Sequence, residues 1–189
     1  MIKVANKNSQ RLIGLVNDIL DMDKLLSGKM TMHIERFDLA ALAQQSIEDN
    51  AGYALGFDVI YVLGAHPAEA QVMADRNRLL QVLANLLSNA AKFSAKGTRV
   101  EIRILPQEAC MRVEVEDRGP GIPLEFQASI FGEFAQADST DTRQRGGTGL
   151  GLNITKKLVE QMGGAVGYTT VQQGTVFWFT VPTAADAGA

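Results

Sequence analysis

Apolar residues recur three and four apart near the start of the chain. Leu12, Leu15, Ile19, Met22 and Leu26 follow a 3-4-3-4 spacing, and Ile13, Val16 and Leu20 make a second stripe beside them. The pattern predicts a helix over residues ~8–27. Two adjoining seams suit a helix in a bundle rather than one lying on a sheet. The chain holds no neighbouring helix of matching pattern, so the partner is either missing or a second copy. Residues 27–29 ("SGK") end this helix. Alternation in "MTMHIERFDL" (30–39) then predicts a strand, and Asp38 caps a helix reaching about Tyr53. "FDVIYVL" (57–63) and "QVMAD" (71–75) read as strands with the loop "GAHPAEA" between them. Asp75 caps a long helix to Phe93. "TRVEIRIL" and "CMRVEVED" form a strand pair turning at residues 106–108. "LNITKKLVEQM" (152–162) is helical, with Gly163 and Gly164 as its stop. "AVGYTTV" and "TVFWFTV" close the chain as a hairpin. Helices mixed with a largely antiparallel sheet indicate an α+β two-layer sandwich, not a doubly wound fold.

Composition narrows this little. The 189 residues are 46% hydrophobic and 21% charged, ordinary for a globular protein, and suffice for one compact domain with an appendage. A net charge of −3 gives no nucleic-acid footprint and no membrane-surface patch. The single cysteine, Cys110, rules out an internal disulfide framework and reads as a small core residue. No apolar run is long enough to span a bilayer, and the N-terminus is not a signal peptide. The small, polar end "TAADAGA" (183–189) is expected to fray.

Four clusters carry candidate chemistry. In the helix after Asp75, residues Leu79, Val82, Leu83, Leu86, Leu87 and Ala90 make one apolar face. Arg78, Gln81, Asn85, Asn89 and Lys92 line up opposite. Asparagine is a poorer helix former than Glu or Lys by a few tenths of a kcal/mol. Two asparagines one turn apart therefore suggest amides that bind something. An amide oxygen suits Mg²⁺, and a lysine one turn on suits phosphate. Asp117 ends a strand on the face of Met111, Val113 and Val115, and Gly119 and Gly121 follow at once. An inward carboxylate needs a hydrogen-bond donor. An exocyclic amine such as adenine's is one candidate, and a local turn interaction is the other. Phe131 and Phe134 stand three apart as core aromatics or as the peg of a loop. Gly174 and Thr175 open the last strand.

The glycine-rich stretch "RQRGGTGLGLN" (143–153) needs its own account. It is either a flexible surface loop or a phosphate cradle. It opens a helix, whose free N–H groups and dipole favour an anion. It is not a P-loop, because Leu152 and Asn153 stand where Lys and Ser/Thr belong. It is not a dinucleotide fingerprint, because no strand precedes it.

In this order the clusters resemble the catalytic ATP-binding domain of sensor histidine kinases, within the superfamily shared with gyrase, Hsp90 and MutL ATPases. "NLLSNAAKF" is similar to the N-box, "DRGPGIP" to the first glycine box, "IFGEFAQAD" to the phenylalanine box and "GGTGLGL" to the second glycine box. "GTVFWFTVP" resembles the closing strand. The resemblance covers residues 30–182. It implies a Bergerat-type sandwich over residues 29–182, a flexible tail over 183–189, and in residues 1–28 the second helix of a dimerisation and phosphoacceptor hairpin whose first helix is absent. It implies ATP with Mg²⁺, with Asp117 on the adenine amine, Asn89 as chief metal ligand and Asn85 as helper. Asn85 and Lys92 would be catalytic, with Lys92 on the phosphates. Phe93 would border the base or ribose, Gly119, Gly121 and Ile122 would shape the base pocket, and Thr175 would touch the adenine region. Residues 135–150 would form a lid anchored by Phe131 and Phe134. Gly147, Thr148, Gly149, Leu150, Gly151 and Leu152 would attend the phosphates.

The implied activity is donation of the ATP γ-phosphoryl group to a histidine outside this chain, for relay to a response-regulator aspartate. The two histidines, His33 in a predicted strand and His66 in a loop, do not occupy the acceptor position. The implied partners are the acceptor hairpin of the same parent, dimeric at full length, and a receiver domain, with no nucleic acid and no membrane contact. The expected setting is cytoplasmic, under a parent that is membrane-anchored or soluble. With half its hairpin gone, the lone bundle helix is expected to dimerise weakly or not at all. The alternatives are a nucleotide-sensing or scaffold module, a serine kinase of the same fold, and a hydrolase. The last needs a glutamate as general base where Asn85 stands, and asparagine cannot take a proton.

Overall fold

The computed structural model describes residues 2–132 and 149–184, with side chains from residue 12 onward apart from Leu15 and Asp18. A long helix, α1 (Ile2–Leu26), leads into β1 (Ile34–Asp38), α2 (Leu39–Leu55), β2 (Val59–Leu63), β3 (Gln71–Asp75) and α3 (Arg76–Phe93). The chain continues through β4 (Thr98–Gln107), β5 (Cys110–Glu116), one helical turn α4 (Leu124–Gln127), α5 (Gly151–Gln161), β6 (Val166–Val171) and β7 (Gly174–Pro182). Five strands make the main sheet in the order β2-β4-β5-β7-β6, and β1 pairs with β3 in a small second sheet. Only β2 and β4 run parallel, so the sheet is mixed and largely antiparallel, as expected.

The alternation in the strands decides which face is covered. Val100, Ile102 and Ile104 of β4, Val113 and Val115 of β5, and Phe179 and Val181 of β7 point to the helices and are at most 1% exposed. Register sets them side by side, with Ile104 opposite Val113 and Val113 opposite Phe179. Helices α2, α3 and α5 cover this face with Leu39, Leu42, Leu79, Leu83, Leu86, Leu87, Ile154 and Leu158, all nearly or wholly buried. Among the described residues no helix packs on the other face, where β4 and β5 carry mostly charged residues at alternate positions. Arg103 pairs with Glu114 at 3.2 Å and Glu116 at 2.9 Å, Arg118 with Glu116 at 2.9 Å, and Arg112 with Glu114 at 2.9 Å. Arg112 also lies 4.2 Å above the Trp178 ring.

Both expected aspartate caps form. Asp38 accepts from the N–H of Ala41 at 2.8 Å, and Asp75 from that of Arg78 at 3.1 Å. Three boundaries differ from the sequence pattern. The first strand begins at Ile34, not residue 30, because its partner β3 has only five residues; His33 precedes the strand and its N–H donates to Asp75. The second starts at Val59, because Asp58 sits at φ +58° and breaks the extended run. The β4–β5 turn is Glu108-Ala109, and Pro106 lies inside β4 opposite Met111. Ile104 donates its N–H outward to Ala65, so the nitrogen of Pro106, two residues on, faces an edge where β2 no longer pairs. A missing donor is harmless there.

Among its described side chains, helix α1 docks by those of its last turns. Met22 and Leu25 are buried, while Leu12, Ile13, Val16, Ile19, Leu20 and Leu26 are each 49–64% exposed. Asp21 accepts from Gln81 at 2.8 Å and pairs with Arg78 at 3.3 Å. At the other end of the chain, Thr183 and Ala184, in the segment expected to fray, donate their N–H groups to the carbonyls of Ala109 and Gln71. No helix among the described residues is long and apolar enough to cross a membrane.

Candidate functional site

Asp117 follows directly on β5 and is 3% exposed. Its Oδ1 accepts from the N–H of Gly119 at 2.8 Å and from that of Thr175 at 3.1 Å. The Asp117 N–H donates in turn to the Thr175 carbonyl at 2.9 Å, so the start of β7 grips the residue from both sides. That grip requires glycine at 174. Its φ is +126°, and a Cβ would stand 2.0 Å from the Asp117 carbonyl oxygen. Among the described residues no hydrogen bond falls on Oδ2. The carboxyl is pushed above its ordinary value chiefly by burial, with Glu116 adding to the rise. The two N–H bonds and Arg118 pull the other way. A desolvated carboxylate with one oxygen filled and one on offer is a directional acceptor.

The same turn is stitched to the C-terminus of α3. Ala95 donates to the Arg118 carbonyl at 3.1 Å, and Arg118 N–H to Ser94 Oγ at 3.2 Å. A Cβ at Gly119 would stand 2.6 Å from the Phe93 carbonyl oxygen, so only glycine allows this approach. The packing brings the Lys92 and Phe93 end of α3 against Asp117. Phe93 is 39% exposed at that edge, and Ile122 packs partly buried on the core.

The polar face of α3 is not one surface. Arg78 and Gln81 are occupied by Asp21 of α1. One turn on, the Asn85 amide N–H donates to the Gly151 carbonyl at 3.3 Å, at the first residue of α5. Asn89 is half-buried, and its side chain forms no hydrogen bond among the described residues. Two amide oxygens, of Asn85 and Asn89, are thus available one turn apart. Among the described residues no cluster of three or more His, Cys, Asp or Glu could hold a metal. The amide pair fits Mg²⁺, which keeps several waters and takes few protein ligands.

Helix α5 begins where the glycines end. Gly149 sits at φ +74°, Leu150 is 3% exposed in the core, and Leu152 packs against it. Gly151 rests on the Asn85 amide. Phe131 packs edge-on to Phe177 and tilted to Tyr168, both at 6.4 Å between ring centres. Phe134, Gly147, Thr148 and most of 135–150 lie outside the described residues. The sequence reading missed Asn153, whose amide N–H donates to the Phe131 carbonyl at 2.7 Å. It was legible only as one more polar residue in an amphipathic helix. His33 and His66 are both exposed in loops.

Residues 74–185 match the family model described as histidine kinase-, DNA gyrase B- and HSP90-like ATPase. The chain is 35% identical over 182 residues to the sensor histidine kinase GacS of Pseudomonas protegens, covering 93% of this chain and 20% of that protein. It is 38% identical over 191 residues to the hybrid signal transduction protein dokA of Dictyostelium discoideum, covering 95% of this chain and 11% of that one. It therefore spans a fifth or less of these relatives. The crystal structure of full-length ShkA in complex with AMPPNP superposes with a TM-score of 0.82 at 31% identity, over 97% of this chain and 39% of that chain.

Proposed function

Because the chain belongs to the family of histidine kinase-, DNA gyrase B- and HSP90-like ATPases, we propose that it binds ATP and presents the γ-phosphoryl group to a histidine of an acceptor helix. The observation that carries this reading is Asp117, buried, with Oδ1 filled by Gly119 and Thr175 and Oδ2 on offer beside α3. Oδ2 accepts from the adenine amine, while Gly119, Gly121, Ile122 and Thr175 frame the base and Phe93 covers its edge. Lys92 meets the phosphates, and the first turn of α5, from Gly149 to Leu152, presents N–H groups to them. The oxygens of Asn89 and Asn85 would hold Mg²⁺, which would neutralise phosphate charge when bound. Phe134, Gly147 and Thr148 complete the nucleotide site in this reading.

Phosphoryl transfer is chiefly positioning and charge stabilisation. The bond from the γ-phosphorus to the bridging oxygen breaks, and one to an imidazole nitrogen forms. The imidazole proton leaves to a base on the acceptor side, and ADP departs. Residues 29–182 supply the donor half. Asn85 cannot take a proton from water, which disfavours hydrolysis as the main outcome. Residues 1–28 serve as the second helix of the acceptor hairpin, residues 29–182 as the ATP-binding unit, and a receiver domain takes the phosphoryl group onward, in the cytoplasm.

Base discrimination tests the reading. Guanine places a carbonyl where adenine places its amine, so Oδ2 would face a second acceptor. ATP is expected to bind more tightly than GTP by about 10–100-fold, the worth of one hydrogen bond to a charged group. Equal affinities in competitive titration would remove Asp117 as the base reader.

A further inference from the structure

Asn153 is 7% exposed, in the first turn of α5 and next to Ile154, which is wholly buried. A position of this kind ordinarily takes an apolar residue. Asparagine is a weaker helix former, and only half of its amide is satisfied. Nδ2 donates to the Phe131 carbonyl at 2.7 Å, while Oδ1 is buried without a partner among the described residues. A half-satisfied buried amide is destabilising relative to a well-packed apolar side chain. Fold stability therefore does not account for the residue. What it does provide is a fixed tie between two places 22 residues apart in the chain.

The tie joins the first turn of α5 to the segment that follows α4, and a run of contacts leads away from each end of it. On one side, the Phe131 ring is wedged against Phe177 and Tyr168. The Tyr168 hydroxyl donates to the Gln127 carbonyl at 3.1 Å, and the Gln127 amide donates to the Ile122 carbonyl at 3.1 Å. This run of side chain-to-carbonyl bonds ends at Ile122, the residue after Gly121 in the turn that follows Asp117. On the other side, Asn153 belongs to the helical turn whose Gly151 carbonyl also accepts from Asn85. Two asparagines thus hold the start of α5, one from α3 and one from within.

We propose that Asn153 is a positioning residue that holds the first turn of α5 in register with the base-reading turn, so that a nucleotide bound at Asp117 meets the helix N–H groups with its phosphates. The inference rests on the ATP-binding reading above. It requires no contact between Asn153 and the nucleotide. Its effect falls on the phosphates and spares the base, because Asp117, Gly119 and Thr175 are fixed by their own bonds.

The test compares ATP with adenosine on the whole chain, by titration followed through NMR chemical shifts, for wild type, Asn153→Leu and Asn153→Ser. Leu fills the volume without donating. Ser keeps a small polar group too short to reach Phe131, and serves if the Leu variant does not fold. ATP affinity is expected to fall about tenfold, the worth of one ordinary hydrogen bond in placement, with adenosine affinity held within about twofold. Equal loss for both ligands would make Asn153 a structural residue and overturn the proposal, as would no loss for either. If wild type binds adenosine but gains nothing from the phosphates, the proposal falls while base reading stands. If it binds neither ligand, the ATP reading fails and takes the proposal with it.

Discussion

Helices α1 and α3 carry similar sequence patterns and meet different fates. Each has an apolar stripe at helical spacing. In α3 the stripe is Leu79, Val82, Leu83, Leu86 and Leu87, every one at 0% exposure under the sheet. In α1 the stripe holds Leu12, Ile19 and Leu26, each about half-exposed or more, and among the described residues only Met22 and Leu25 reach the core. An apolar stripe therefore states a need for a partner and not its identity. The polar faces teach the complementary lesson. Asp21 of α1 reaches the first half of the polar face of α3 and occupies Arg78 and Gln81. The second half, from Asn85 to Lys92, points to the candidate site. One face of one helix does two jobs, divided at about its middle.

The largest break in the comparison comes from truncating each stripe. Leu86→Ala removes a fully buried side chain and is expected to destabilise the chain by about 3 kcal/mol, read by urea denaturation. Val16→Ala on the exposed stripe of α1 is expected to stay within about 0.5 kcal/mol. Similar losses would mean that the α1 stripe is covered in solution. Next in size is the clasp. Asp21→Asn weakens its bonds to Arg78 and Gln81, which are partly buried, and is expected to cost about 1 kcal/mol. A double-mutant cycle with Arg78→Ala isolates the pair, and a coupling near zero would show that α1 is held by Met22 and Leu25 alone. The smallest stability effect is expected at Asn89. Asn89→Ala improves helix propensity by a few tenths of a kcal/mol, so Tm should hold or rise. Its Mg²⁺-dependent gain in ATP affinity should nevertheless shrink. A fall in Tm with unchanged magnesium dependence would make Asn89 structural.

Much of this division was legible in the sequence, and the rest was not for physical reasons. The caps at Asp38 and Asp75 and the apolar face of α3 depend on residues within a few turns, so local spacing reveals them. Asp117 with Gly119 was also readable, because strand alternation and nearby glycines fix its direction. The Asp21 clasp joins residues 57 apart and has no local signature. For that reason Arg78 and Gln81 read as part of the ligand-facing row. Asn153 was hidden for a different reason. A polar residue in an amphipathic helix looks solvated until packing buries it. The Pro106 boundary turned on which edge its nitrogen faces, which only strand pairing decides.

The pH response follows from the same carboxyl. Burial raises the Asp117 pKa above its ordinary 3.8, so the folded state holds a proton more tightly than the unfolded chain. Its contribution to stability is full below the unfolded value and is lost as pH rises through the folded value. Asp117→Asn should remove that loss, so that its stability relative to wild type grows over this acid range and then levels off. A constant difference would mean that the carboxyl is not perturbed.

Asp117 is also where the central claim is most directly tested. The measurement is a calorimetric titration of ATP, with and without Mg²⁺, on wild type and on Asp117→Asn. Asparagine keeps an oxygen for Gly119 and Thr175 but turns the second acceptor into a donor facing the adenine amine. The account expects magnesium-sensitive binding in wild type and affinity lower by about 10–100-fold in the variant. Equal binding by both proteins, or none by wild type in a folded sample, would contradict it.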